Sequence, residues 1–173
     1  CVPEIMVPLV GSLNEFLNQK IIIETVAKSI FKKYNIKIKY LIGTMIELPR
    51  ACFIADKIAE HADFISFGTN DLTQTTFGFS RDDIGSFLPD YLSKNIINKD
   101  PFSSLDKAGV GELIKIAVKK ARAKNKTIKI GICGEHGGDP DSISFFNAMN
   151  FDYVSCSPYR MPIASLAIAK LNS

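Results

Sequence analysis

Three short segments of this 173-residue chain bring together residue types that do chemistry: Gly43-Thr-Met-Ile-Glu47, Phe67-Gly-Thr-Asn-Asp71 and Gly131-Ile-Cys-Gly-Glu135. Each is an apolar run that ends abruptly in a carboxylate, an amide or a thiol. Such ends are how α/β barrels and open α/β sheets build active sites, because the strand fixes the backbone while the loop after it faces the ligand. Three of them in one chain point to a shared pocket. Two acids, an amide and a thiol suit a metal-assisted reaction on a small anion.

Glu47 and Asp71 are the leading pair. A charge that follows an apolar run is costly unless it is solvated, paired or bound to a metal. Two carboxylates with room left for water and a substrate oxygen suit Mg²⁺, a hard cation that keeps several non-protein ligands. Taken singly, each has a plainer role, Glu47 at a helix start before Pro49 and Asp71 as a helix cap. Gly68-Thr69-Asn70 offers successive backbone N–H groups as an anion nest. Arg81, in the connection that follows, is suited to bidentate binding of a phosphate or carboxylate, though an ordinary surface arginine would look the same.

A thiol in a strand, such as Cys133, is usually a small hydrophobe. Its place at a strand end beside Gly134-Glu-His-Gly-Gly-Asp-Pro140 opens a second reading. A thiol with an ordinary pKa of ~8.5 is mostly protonated at neutral pH and can donate a proton. His136, in the same glycine-rich turn, is either a base or ligand or a surface residue. His61, near the end of an amphipathic helix, carries no chemistry in this reading.

The elements that must position these groups follow from periodicity. Apolar, β-rich runs cover Glu4–Val10, Lys39–Ile46, Asp63–Phe67, Ile128–Cys133 and Tyr153–Cys156. Between them, Leu13, Phe16, Leu17, Ile23, Val26, Ala27, Ile30 and Phe31 recur at helix spacing, as do Ala51, Ala55, Ile58, Ala59 and Ala62, and then Leu113, Ile114, Ala117, Val118 and Ala121. Pro140 and Pro162 fit the first turns of two further helices. The alternation is β-α five times over, which predicts a parallel sheet. One connection, from Leu72 to about Gly111, is long and rich in Gly, Pro and charge; loops of that length are more often functional than idle. Eight strands close a barrel, so five form either an open sheet or the C-terminal part of a (β/α)8 barrel.

Composition narrows the function class. Hydrophobic residues make up 46% of the chain and charged ones 23%, with a net charge of +3, as in a soluble globular protein rather than a disordered segment. The lysines and arginines interleave with apolar residues on helical patterns and read as solvated faces, so nucleic acid is not an expected partner. No apolar run approaches the ~20 residues needed to span a bilayer, and Cys1-Val-Pro-Glu does not resemble a signal peptide. The chain starts without Met, which is read as a fragment or a processed product. Four cysteines without zinc-type or redox-type spacing fit a reducing, cytoplasmic compartment.

Gly43-Thr-Met-Ile-Glu-Leu-Pro-Arg50, Ser66-Phe-Gly-Thr-Asn-Asp-Leu-Thr-Gln74, Gly131-Ile-Cys-Gly-Glu135 and Ser155-Cys-Ser-Pro-Tyr-Arg160, in this order, resemble the C-terminal barrel of the phosphoenolpyruvate-utilising enzymes. Thr76-Phe-Gly-Phe-Ser-Arg-Asp-Asp83, His136-Gly-Gly-Asp-Pro140 and Tyr159-Arg-Met-Pro-Ile-Ala164 more closely resemble its pyruvate, phosphate dikinase branch. The resemblance implies that residues 1–173 are one segment, about five β-α units, of an incomplete (β/α)8 TIM-type barrel. It implies a phosphotransferase whose parent interconverts ATP, phosphate and pyruvate with AMP, pyrophosphate and phosphoenolpyruvate through a phosphohistidine on a swivelling domain. Glu47 and Asp71 would hold Mg²⁺. Gly68, Thr69, Asn70 and Arg81 would join them in binding pyruvate or phosphoenolpyruvate, and Cys133 would move the proton at C3. The family dimerises through this domain. The family's earlier substrate-binding arginines and its phosphohistidine signature have no counterpart here, so the isolated segment is expected to be inactive. Phosphoenolpyruvate synthase, or a non-catalytic split-gene remnant acting as a dimerisation or complementation partner, are the alternatives.

Overall fold

A computed structural model describes residues 2–171. Five strands, β1 (Glu4–Val7), β2 (Leu41–Ile46), β3 (Phe64–Gly68), β4 (Lys129–Cys133) and β5 (Tyr153–Ser155), pair in parallel in the order β1-β2-β3-β4-β5. The helices are α1 (Leu13–Tyr34), α2 (Pro49–Phe53), α3 (Ala55–Ala59), α4 (Thr69–Phe77), α5 (Leu88–Ser93), α6 (Val110–Lys124), α7 (Pro140–Ala148) and α8 (Met161–Leu171). Strand order that follows the chain without reversal is the winding of a (β/α)8 barrel; a doubly wound sheet reverses at a switch point. These are five consecutive units of a barrel.

The two sheet faces show the same thing. On one, Ile42, Ile46, Ile65, Phe67, Ile130 and Ile132 are buried in a single core with Ile58, Ile114, Val118 and Phe146 from the helices. The period of two sends the intervening residues to the other face. The register sets Met6, Gly43, Phe64 and Lys129 in one row there, Met45, Ser66, Gly131 and Tyr153 in the next, and Gly68, Cys133 and Ser155 above. Large and small residues alternate, as in the layered interior of a barrel: the Tyr153 ring occupies the space where Gly131 would carry a Cβ. Lys129 on β4 reaches Glu4 on β1 at 2.7 Å. Three strand spacings separate them, about 14 Å on a flat sheet, and a concave sheet brings them within reach. Ile21, Ile22 and Val26 on α1 and Met161, Ile163 and Leu166 on α8 leave apolar side chains exposed, on the two outermost helices, where a closed barrel would place neighbours.

Local chemistry trims the expected elements. β1 stops at Val7, short of Val10, because Pro8 has no N–H to give and Leu9 turns into the left-handed region at φ 54°. The helix expected over Ala51–Ala62 is two short ones, broken at Ile54 (φ −114°, ψ 17°). The long connection begins at Gly78 rather than Leu72, since α4 starts directly from β3 and ends on Gly78 at φ 68°. It is also not structureless. It holds a 3₁₀ turn, Ile84–Ser86, and α5, with Phe77 stacked on Phe79 and Phe79, Phe87 and Tyr91 meeting edge to face. Among the described residues, no helix is long and apolar enough to cross a membrane.

Candidate active site at the carboxyl ends of the strands

Glu47 leaves the end of β2 and turns inward. Its side chain is 2% exposed, and Oε1 accepts the Leu9 N–H at 2.6 Å. Oε2 lies over the Cα of Gly68, where any Cβ would run into it. The glycine is required by this close approach, not by its backbone angles. Burial pushes the Glu47 carboxyl above the ordinary range; the Leu9 N–H pulls it back, and the charge of Asp71 pushes it up again. The acids at the other end of the sheet are structural by contrast. Asp63 and Asp152 accept the Ile42 and Ile130 N–H groups at 2.8 and 2.7 Å, closing the strand starts.

Asp71 lies in the first turn of α4, where the helix dipole favours an anion. Asn70 precedes it, and its Oδ1 accepts the Glu135 N–H at 3.3 Å, which keeps its NH₂ for another acceptor. Thr69 is buried, with Oγ1 2.8 Å from His136 Nδ1. The donor set fits a hard cation: the negative charge of Asp71 acts on the buried Glu47 carboxyl, and a divalent ion held by the two would offset it. Among the described residues no three His, Cys, Asp or Glu side chains form a metal cage, and Mg²⁺ needs only one or two carboxylates.

Cys133 ends β4 opposite Gly68, with Sγ 3.6 Å from the Phe67 carbonyl. Burial raises the thiol above its ordinary pKa, Ser66 draws it down, and the Glu47 and Asp71 charges raise it further. It is therefore held protonated. Ser66 is fully buried and its hydroxyl completes no hydrogen bond. It influences both Cys133 and the Tyr153 phenol, which burial also raises. Ser66 and Tyr153 were not legible as site residues: Ser66 is a lone hydroxyl among the apolar residues of β3, and Tyr153 opens the three-residue β5. Cys52, in the core, is pushed by burial up to about 12 and takes no part.

The structure thus couples Glu47, Gly68, Asp71 and Cys133 into one electrostatic unit, with Thr69 and Asn70 at its edge. Arg81 stands further out. It reaches the group through Glu135, at 3.8 Å, which also faces Arg160 at 3.8 Å; Arg81, Glu135 and Arg160 line a cavity of about 250 Å³ with Asp100 and Phe102. Glu135 and Arg160 were not singled out as site residues, although each ends a motif that carries the resemblance; both are half-exposed in short 3₁₀ turns, and what marks them is their pairing across the cavity. A larger cavity, about 570 Å³, lies along the connection against Phe77, Leu105 and Asp141 and contains none of these groups. His136 is fully buried with both ring nitrogens engaged, so it is neither a surface residue nor an available base.

A family model described as "PEP-utilising enzyme, PEP-binding domain" matches residues 2–173. The chain belongs to the PEP-utilising enzyme family. Within that family it is 58% identical over 170 residues to pyruvate, phosphate dikinase 1, chloroplastic, of Arabidopsis thaliana, covering 98% of this chain and 18% of the relative. It is 57% identical over 169 residues to the chloroplastic enzyme of Mesembryanthemum crystallinum, covering 98% and 18%. Pyruvate, phosphate dikinase 2 of Zea mays is 56% identical over 169 residues, covering 98% and 19%. The chain spans under a fifth of the length of these curated relatives.

Proposed function

We propose that residues 1–173 are the pyruvate/phosphoenolpyruvate-binding segment of a pyruvate, phosphate dikinase, the C-terminal part of its (β/α)8 barrel domain. The parent interconverts ATP, phosphate and pyruvate with AMP, pyrophosphate and phosphoenolpyruvate through a phosphohistidine on a swivelling domain, and this segment serves the pyruvate half. One observation carries the reading: successive strand ends set a coupled acid pair beside a thiol held protonated. The dikinase identities favour this over a phosphoenolpyruvate synthase.

Glu47 and Asp71 would hold Mg²⁺, which would supply positive charge against the substrate's anionic oxygens. The Gly68 and Thr69 backbone and the Asn70 NH₂ bind the substrate, and Arg81 orients its anionic end. After the phosphoryl group has left for the histidine, the Cys133 thiol gives its proton to C3 of the enolate, and pyruvate and a thiolate result. In reverse the thiolate takes a methyl proton. The Ser66 and Tyr153 hydroxyls flank that sulfur, Ser66 fully buried and the other two partly so. The homodimer and the cytoplasmic location belong to the same proposal, the latter on the unpaired thiols of Cys52, Cys133 and Cys156; the chloroplast named for the Arabidopsis relative is the other location to test.

By itself the segment leaves β1 and β5 each with an unpaired edge and supplies only part of the substrate site, so it is expected to turn nothing over. The test is made in a full-length enzyme, with this segment replacing the matching 170 residues of the Arabidopsis relative. Formation of ATP from phosphoenolpyruvate, AMP and pyrophosphate supports the proposal. A folded chimaera that keeps its nucleotide half-reaction and lacks the pyruvate half would identify the segment as a non-catalytic remnant.

A further inference from the structure

We propose that His136 is a positioning residue: its imidazole ties the connection between α4 and α6 to Thr69, so that the start of α4 and the chain above it are set as one unit. The proposal rests on the substrate role given above to Gly68–Asp71. The geometry fixes the tautomer. The Pro101 carbonyl only accepts, so Nε2 carries the proton and donates to it at 2.8 Å. Nδ1 is then an acceptor, and the Thr69 hydroxyl donates to it at 2.8 Å. The longer approach of Thr69 Oγ1 to the Cys133 carbonyl, 3.4 Å, is not the one that holds the hydroxyl proton.

Arg81 reaches the turn of His136 only through the half-exposed ion pair with Glu135 at 3.8 Å, and three other anchors of the connection end elsewhere. Leu105 N–H donates to Ser142 Oγ at 3.0 Å, Ser104 Oγ to Asp139 Oδ2 at 3.0 Å, and Lys99 pairs with Asp141 at 2.8 Å. All three reach the start of α7. His136 instead spans 35 residues to Pro101 and 67 to Thr69, and with no exposed surface it has no water to replace either partner. The turn that carries it is laid against the same helix start. Gly134, at φ 119°, leaves no Cβ, which would otherwise stand 2.9 Å from Thr69 Oγ1 and 3.2 Å from Asn70 Oδ1. Severing the link therefore frees both Thr69 and the chain around Pro101, and it weakens substrate binding more than it slows chemistry.

Three substitutions in the full-length enzyme separate the two ends of the link. An asparagine amide oxygen takes the place of Nδ1 and accepts from Thr69; a glutamine amide nitrogen takes the place of Nε2 and donates to Pro101. His136→Ala is expected to raise the KM for pyruvate about tenfold with kcat within about threefold of wild type, and to speed amide exchange over residues 97–105. His136→Asn recovers most of the KM and leaves residues 97–105 unprotected, whereas His136→Gln recovers the protection and not the KM. A wild-type KM in folded His136→Ala, or Asn and Gln variants that behave alike, would overturn the proposal. If the alanine variant does not fold, the Asn and Gln comparison decides alone. If wild type itself does not use pyruvate, the substrate reading fails, and amide exchange in the same variants still decides the link.

Discussion

Gly68→Ala probes the seating of the acid pair. Gly68 sits at φ −83°, ψ 81°, with φ on the side that alanine favours, so no left-handed strain accompanies the change. Through the unfolded chain alone it would stabilise by about 0.4–1 kcal/mol. The new methyl, however, runs into Glu47 Oε2 and would lie 2.8 Å from Glu47 Cβ. Glu47 is 2% exposed and held by Leu9, so it yields only by shifting within the core, at about 1–3 kcal/mol. If it releases the Leu9 N–H, a bond to a charged acceptor worth about 1.5–3 kcal/mol goes as well. With the Leu9 bond kept, the steric cost less the entropic gain leaves a net loss of up to about 2.6 kcal/mol, about 1.3 kcal/mol at mid-range. The assay is exchange of pyruvate methyl protons with deuterated water, followed by NMR across a Mg²⁺ titration of the full-length enzyme. The half-saturating Mg²⁺ concentration should rise at least about tenfold, equivalent to about 1.4 kcal/mol. Glu47→Asp with Gly68→Ala, which shortens the acid where the methyl is added, should show a coupling of about 0.5–3 kcal/mol in a double-mutant cycle. A Gly68→Ala enzyme with an unchanged Mg²⁺ curve and an unchanged or higher melting temperature would mean that Glu47 does not sit against Gly68.

Three further outcomes are expected. Cys133→Ala should slow methyl-proton exchange by ~10²–10⁴-fold with substrate binding kept, while Cys52→Ala and Cys156→Ala leave exchange near wild type; wild-type exchange in the Cys133 variant would assign the proton to another group. Glu47→Gln or Asp71→Asn should abolish the pyruvate half-reaction and spare ATP/AMP exchange in the nucleotide half; equal loss of both in a folded protein would argue against a metal site here. His136 gives a pH signature. Burial lowers its folded pKa below the ordinary histidine value of about 6.5, so below about 6.5 the unfolded chain binds a proton that the folded chain refuses. Stability is thus full above 6.5 and falls as pH drops through the window down to the folded value, by at most ~1.4 kcal/mol per pH unit. Denaturation midpoints measured at several pH values should show this slope in wild type and a shallower one in His136→Gln.

Much of the site was legible because a barrel strand ends where its apolar run ends. Glu47, Asp71 and Cys133 each broke such a run, and the structure groups them. What escaped had its cause in geometry that pattern does not carry. Ser66 and Tyr153 occupy the inner face of strands whose outer face is just as apolar, so a period of two offers no contrast. Leu9 acts through its N–H and has no polar side chain to notice. The plainer roles were partly right: Glu47 does stand at the start of α2, just before its N-cap Leu48, and there binds Leu9, whereas Asp71 lies in the first turn of α4 and is not its cap, which is Gly68. The connection starts about six residues later than its composition suggests because Thr69-Asn-Asp, ordinary loop composition, begins α4 without a linker. Its internal order comes from aromatic packing among Phe77, Phe79, Phe87 and Tyr91, contacts too irregularly spaced to suggest a helix.

Leu9 holds Glu47 with its main chain, at φ 54°, while its own side chain is 61% exposed. Position 9 is therefore under two separate constraints. Its side chain touches little that matters and is free to drift among chemically unlike residues. Its backbone is not free, because only the left-handed conformation aims the N–H at the carboxylate. Glycine and asparagine fit that demand better than leucine does, β-branched residues fit it worse, and proline has no N–H to aim. Tolerance at this position should thus sort by backbone preference and ignore hydrophobicity, the reverse of the rule for Ile46 or Phe67 in the core beside it.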